Sequence, residues 1–386
     1  MTAFLIGIVL LGGCNDAKYS ELDIHAYIEE ALGGAGTVVT IESEGYTVTP
    51  LTIHISNLSS VDNHYRLVPD GSALDDYNRV NGTALKMLPE THYILPEDIV
   101  VKTGQYDSDR VDVSIYAFSQ EMIDSGESYA LAVKLESKEG SIPAMETTGR
   151  YVIATHNIIR FSAPMFVGSA ELQADKFKTS PETYEKYTIE VRFQVSNTSN
   201  RNRAIFDNTA NDGGLSNVLL RFEDPQSNTD DHKKHSLVQI VGRNSIYMNP
   251  TYSFESNKWQ HLALTCDGAN YRLYINGQFA GLKEIPLGPT TFSSVRWFTG
   301  RSWWGDCKIL MSEARIWSVV RTELQIQNNM TVVSPKSPGL EAYWRFNEGK
   351  GNVFEDVTGK GHTLTTPNVP QWVHGILSTD GATQWK

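Results

Sequence analysis

The side chains best equipped for chemistry lie in one stretch, Arg296-Trp297-Phe298-Thr299-Gly300-Arg301-Ser302-Trp303-Trp304-Gly305-Asp306. Flat indole faces suit the apolar side of a sugar ring, and guanidinium and carboxylate groups suit its hydroxyls. Gly300 and Gly305 predict a loop from Arg301 to Asp306 between strands. Two adjacent tryptophans in a short loop do not easily both pack inward. The sequence leaves open whether the pair caps a core or forms an exposed shelf. Trp297, Arg301, Trp303, Trp304 and Asp306 are therefore candidate ligand-binding residues, with Tyr252 and Tyr271 as secondary candidates for the same platform.

Bond-breaking constellations are missing from the sequence. A glycosidase needs two carboxylates flanking the scissile bond. Jelly-roll hydrolases carry theirs on one strand as Glu-x-Asp-x-x-Glu, and chitinase-like barrels as Asp-x-x-Asp-x-Asp-x-Glu; neither string occurs. The nearest cluster, Asp107-Ser108-Asp109-Arg110-Val111-Asp112, reads as a solvated turn entering an edge strand. His232 and His235, three apart, read as part of a charged surface loop before they read as a metal pair. No nucleophile elbow, zinc spacing or phosphate loop appears. No catalytic residue is assigned, and the expectation is a protein that is not an enzyme.

These residues need a scaffold. The 386 residues suffice for roughly two or three domains. With 33 basic and 45 acidic residues the net charge is −12, which argues against nucleic acid or an anionic membrane surface as partner. Phe4 to Leu11 is an apolar run too short to span a bilayer as a helix. Leu11-Gly12-Gly13-Cys14 follows it, and small residues before a cysteine resemble the bacterial lipoprotein signal, with Cys14 as the lipidated residue. No Lys or Arg precedes the run. Cys266 and Cys307 remain, enough for one disulfide or two buried thiols.

The rest reads as β. Ser20 to Leu32 could be a capped helix stopped by Gly33-Gly34, or could begin as a strand. Thr37–Ile41, Leu51–Ile55, Arg110–Tyr116 and Tyr129–Leu135 mostly alternate apolar and polar residues. Glu44-Gly45, Asp70-Gly71 and Ser125-Gly126 read as turns between them. The strand number predicts a small immunoglobulin-like sandwich. Farther on, His261–Thr265 and Tyr271–Ile275 flank Asp267-Gly268, and Asn276-Gly277 follows. Those dipeptides accept the positive φ angles of tight hairpins. Trp259, Trp317 and Trp344 fall inside strands and read as core.

Two resemblances follow from these motifs. Trp259-x-His261-Leu-Ala-x-Thr265, Asp267-Gly268, Leu273-Tyr-x-Asn276-Gly277, Glu313-Ala-Arg-Ile-Trp317 and Leu340-Glu-Ala-Tyr-Trp-Arg-Phe-Asn-Glu-Gly349 resemble a laminin-G-like (concanavalin A-like) jelly roll. Asp76-Tyr77-Asn78, Leu88-Pro89-Glu90, Tyr93, Ile99 and Gly104 are similar to DUF1735, a domain found ahead of glycan-binding or glycan-cleaving modules on exported Bacteroidetes lipoproteins. The expected fold is all-β: a signal segment over 1–14, an immunoglobulin-like β-sandwich over 15–155 and a larger concanavalin A-like jelly-roll β-sandwich over 156–386. The resemblance implies a non-catalytic, cell-surface, outer-membrane lipoprotein that captures oligosaccharides or glycoprotein glycans. A glycan importer and glycosidases would be its partners, and a lipid anchor its only membrane contact. No cofactor is required; Ca²⁺ is an option the family offers, with Asp207, Asp224 and Asp356 as conceivable ligands. The alternatives are a protein-binding or adhesion module, and a polysaccharide hydrolase or lyase with an unrecognised site.

Overall fold

The computed structural model describes residues 24–197, 202–210, 212–223, 237–245, 247–248 and 254–380. The chain divides into two compact units. Of the described residues, one unit comprises those up to 40 with 46–116 and 128–156; the other comprises 41–45, 117–127 and those from 157 onward. No described helix is long and apolar enough to cross a membrane.

The first unit is built on a six-stranded sheet. Its main path runs Gly36–Ile41, Arg150–Asn157, Tyr129–Ser137, Asn63–Pro69, Ile99–Val101, and Lys86–Met87 pairs in parallel with Tyr129–Ser137. A three-stranded sheet, Tyr46–Leu51, Val111–Tyr116, Tyr93–Ile94, lies in the same unit. Val111, Val113 and Ile115 point inward and Asp112 outward, the period of two that the sequence shows. This strand is the middle one of its sheet, not the edge strand expected.

Asp70-Gly71 does not form a turn between strands, and Asp76-Tyr77-Asn78 is not strand. They belong to a helix, Gly71–Asn81. The Asp70 carboxylate caps it by accepting from the amides of Ser72 and Ala73, and Gly82 ends it in the left-handed region. Ala73 and Leu74 press onto Ala130, Ala132, Val152 and Ala154 of the sheet. Near the start, Ala26–Ile28 is a strand and Glu29–Gly33 a 3₁₀ turn, so within the described residues the strand reading holds.

The second unit is a sandwich of two eight-stranded sheets. The first runs Gln278–Glu284, Asn270–Ile275, Gln260–Cys266, Tyr187–Val195, Lys308–Trp317, Arg160–Val167, Gln371–Leu377, with Leu340–Trp344 also paired to Lys308–Trp317. The second runs Tyr247–Met248, Leu237–Val241, Val218–Glu223, Arg203–Asn208, Val295–Trp297, Leu172–Ala174, Leu364–Thr365, Val353–Phe354. Between them lies an aromatic-rich core that includes Phe193, Phe206, Phe222, Trp297, Trp304 and Trp344. Trp259, Trp317 and Trp344 are all buried. The chain is all-β in class, as its motifs imply.

The hairpins form where the dipeptides predict them. Asp267 Oδ1 accepts from the amides of Ala269 and Asn270, and Gly268 takes φ 93°. Asn276 and Gly277 both have positive φ, 51° and 76°, as the two-residue turn between Ile275 and Gln278 requires. Cys266 and Cys307 are both buried free thiols, with no disulfide between them.

Candidate functional site

The structure separates the aromatic residues of the 296–306 stretch. In strand Val295–Trp297 the alternation turns Val295 and Trp297 inward and Arg296 outward. Trp297 is fully buried, edge-on to Phe206 at 4.8 Å and to Trp344 at 6.2 Å. Trp304 is also fully buried. Its Nε1 donates to the Thr299 carbonyl at 2.7 Å, and the Arg203 guanidinium covers its ring at 5.3 Å. Neither can offer a face to a ligand, so both are core residues and not the binding residues expected. Tyr271 is likewise fully buried.

The expected loop contains one helical turn, Arg301–Trp304. Successive residues on a helix diverge by about 100°. Trp304 therefore enters the core while Trp303 stays 45% exposed. Asp306 is exposed as well. The backbone of Arg301 opens the turn, but its side chain lies outside the described residues, as do Tyr252, Cys14, Asp224, His232 and His235.

Arg296, the residue between two inward neighbours, leads to a different place. An open cleft of about 580 Å³ lies on the outer face of the second sheet, within the range of small-ligand sites. Strand register sets its floor: Gln173 pairs with Arg296, and Arg296 with Asp207. Arg296 Nη2 donates to Asp207 Oδ2, and the Thr209 hydroxyl donates to Asp207 Oδ1 at 2.5 Å. Lys178, Asp212, Ser293 and Ser294 complete the polar wall. Burial alone would raise the Asp212 carboxyl. The Ser216 hydroxyl and the amides of Ser216, Gly214 and Leu215 outweigh it and hold the carboxyl below its usual range.

Asn208 fixes this cleft from beneath. It is fully buried. Its Nδ2 donates to the carbonyls of Ser216 (2.8 Å) and Thr291 (3.0 Å), and its Oδ1 accepts from the amides of Ser293 (3.0 Å) and Ser294 (3.1 Å). All the donor and acceptor capacity of one amide is thus spent on the two segments that flank the cleft. No local sequence signal marks Asn208, Lys178 or Asp212; only the register brings them together.

The outer face of the other sheet carries carboxylates, but in a different state. Strand Tyr187–Val195 is buried on both sides, so Glu190 and Arg192 lie under cover. Glu190 accepts from Arg315 at 3.0 Å and Arg321 at 2.6 Å. Glu313 accepts from Arg315 and the Tyr343 hydroxyl. One guanidinium therefore stands between the two carboxylates. Trp317, Val333, Leu340 and Tyr343 pack together over one part of this face, and Ile326 packs on Ala263 and Tyr274 over another. Burial pushes the Glu190 carboxyl up, but the Arg321 and Arg315 guanidinium groups outweigh it and hold the carboxyl below its usual range. Burial, helped by the surrounding arginines and opposed by Glu190, lowers His261 to about 3.

The remaining acidic candidates are engaged locally. Asp356 accepts from the amides of Tyr343, Thr358 and His362, which is turn duty. Asp107 bonds His54 at 2.7 Å, and Arg110 bonds Asp112 at 2.5 Å. Among the described residues no group of three or more His, Cys, Asp or Glu side chains is placed to hold a metal ion.

Comparison with known proteins agrees on the fold. A family model of the concanavalin A-like lectin/glucanases superfamily matches residues 168–327, and a model of an N-terminal domain matches residues 19–142. A solved structure from Bacteroides ovatus, described as a candidate carbohydrate binding protein, is 22% identical with a TM-score of 0.62; the match covers 91% of this chain and 97% of that one. EndoBT-3987 from Bacteroides thetaiotamicron, solved with a Man5GlcNAc product, is 15% identical over 34% of this chain and 31% of its own, with a TM-score of 0.29. A heptameric SAP-like pentraxin from Limulus polyphemus is 15% identical over 46% and 78%, also at 0.29. The last two scores are too low to support a comparison of sites. No curated protein matches the chain.

Proposed function

We propose that this protein is a non-catalytic glycan-binding protein whose second unit holds an oligosaccharide, or the glycan of a glycoprotein, in the polar cleft around Arg296. The observation that carries this reading is the cleft itself. It gathers a guanidinium, an ammonium, a carboxylate, an amide and several hydroxyls in one open space, the kind of inventory that matches sugar hydroxyls. The resemblance over nearly its full length to a candidate carbohydrate binding protein points the same way. Trp303, 45% exposed on its own turn, does not line this cleft.

The same considerations favour binding over cleavage. Glu190 and Glu313 share one face of a sheet, as a hydrolase pair would, but each is buried against arginine. A general acid or nucleophile has to reach the glycosidic oxygen or the anomeric carbon. The proposed setting is an outer-membrane, cell-surface lipoprotein anchored through Cys14, delivering glycans to an importer and its glycosidases.

Titration calorimetry of the full chain against a panel of oligosaccharides tests this. Binding to at least one glycan, lost in Arg296→Ala and kept in a surface variant such as Lys336→Ala, is the expected result. A panel without a single binder, or binding indifferent to Arg296→Ala, overturns it.

A further inference from the structure

The residues lining the proposed cleft include two cations, Lys178 and Arg296, and one carboxylate, Asp212. Resting on the reading that this cleft binds a glycan, we infer that its preferred ligand is an acidic sugar, one whose ring bears a carboxylate. Asp212 lines the cleft, Asp207 and Asp175 adjoin it through Arg296 and Gln173, and each of the three already accepts hydrogen bonds. Asp207 receives Arg296 and the Thr209 hydroxyl. Asp175 receives Gln173 Nε2 at 2.7 Å. Asp212 receives the Ser216 amide at 3.2 Å and is held charged by neighbouring amides and a hydroxyl.

The cations are not used up in the same way. Lys178 lines the cleft, is exposed, and has no hydrogen bond or ion pair among the described residues. Arg296 gives Asp207 one contact through Nη2, while its Nε is buried without a partner. A guanidinium has five donors and forks onto carboxylates. The buried Nε is out of a ligand's reach; what the half-buried Arg296 offers the cleft is the outer part of its guanidinium.

Charge elsewhere sharpens the contrast. The chain as a whole carries −12, so the far field discourages anions. At physiological ionic strength that field fades within about 8 Å. Inside the cleft the free ammonium of Lys178 and the open side of Arg296 decide. A carboxylate would bring Lys178 its missing counter-ion; a neutral sugar offers only hydroxyls.

Paired probes test this on the full chain. Oligogalacturonides and oligosaccharides containing glucuronic or sialic acid are titrated alongside the same molecules after reduction of each carboxyl to an alcohol. We expect at least one acidic member to bind roughly tenfold or more tighter than its reduced partner. Lys178→Gln should remove most of that difference by weakening the acidic member far more than the reduced one, and added salt should weaken the acidic member more than its reduced partner. If reduced and acidic forms bind alike, or Lys178→Gln leaves the preference intact, the inference fails while the glycan-binding reading stands. If no member of either set and no neutral glycan binds, both fail.

Discussion

Trp303 and Trp304 stand side by side in sequence and on opposite sides of the protein surface. A single helical turn does this, sending one indole to the core and the other toward solvent. Trp303→Ala should therefore cause no change in Tm. Trp304→Ala should instead destabilise by about 3–5 kcal/mol, read as a fall in the urea midpoint. The buried charges also give residue-scale expectations. Glu190→Gln leaves Arg321 without its carboxylate and Arg315 with Glu313 alone, and should cost about 3–5 kcal/mol, lowering Tm by roughly 10 °C. His261 is held neutral, its folded pKa of about 3 lying below an unfolded value near 6.5. Between those values the unfolded chain binds the extra proton, so stability is greatest above about pH 6.5 and declines as pH falls toward 3. His261→Gln should flatten the denaturation midpoint against pH across that window. A midpoint that falls as steeply as in wild type would refute this role of His261.

At the scale of elements, the hairpins were the most legible part of the sequence. Asp267-Gly268 and Asn276-Gly277 state a backbone requirement, positive φ, that few other residues meet, and the strands on either side obey it. Helix Gly71–Asn81 was not legible. Asp70-Gly71 suits a turn and a helix start equally, and burial of Ala73 and Leu74 on the sheet decides between them. The site was half legible. The stretch around Trp297 was singled out for its rings, yet the residue that reaches the cleft is Arg296, which strand alternation alone would turn outward. Asn208 lay beyond reach, because its four hydrogen bonds span residues that meet only in the folded sheet. Removing them in Asn208→Ala should cost about 2–4 kcal/mol and abolish glycan binding even at temperatures where the variant remains folded.

Taken whole, the chain joins two β-rich units, the larger a sandwich that uses its two outer faces differently. One face is closed over a network of arginines and glutamates and is spent on stability. The other keeps an open polar cleft. The proposed anchor has its own test: radiolabelled palmitate should be incorporated into the expressed full chain and lost in Cys14→Ser. The central claim is the assignment of the open face to glycan capture. Crystals of the full chain soaked with the tightest-binding oligosaccharide of the panel test it most directly. The account predicts sugar density in the cleft, within hydrogen-bond distance of Arg296 and Lys178. Sugar bound reproducibly at another surface, with the cleft unchanged, would contradict it.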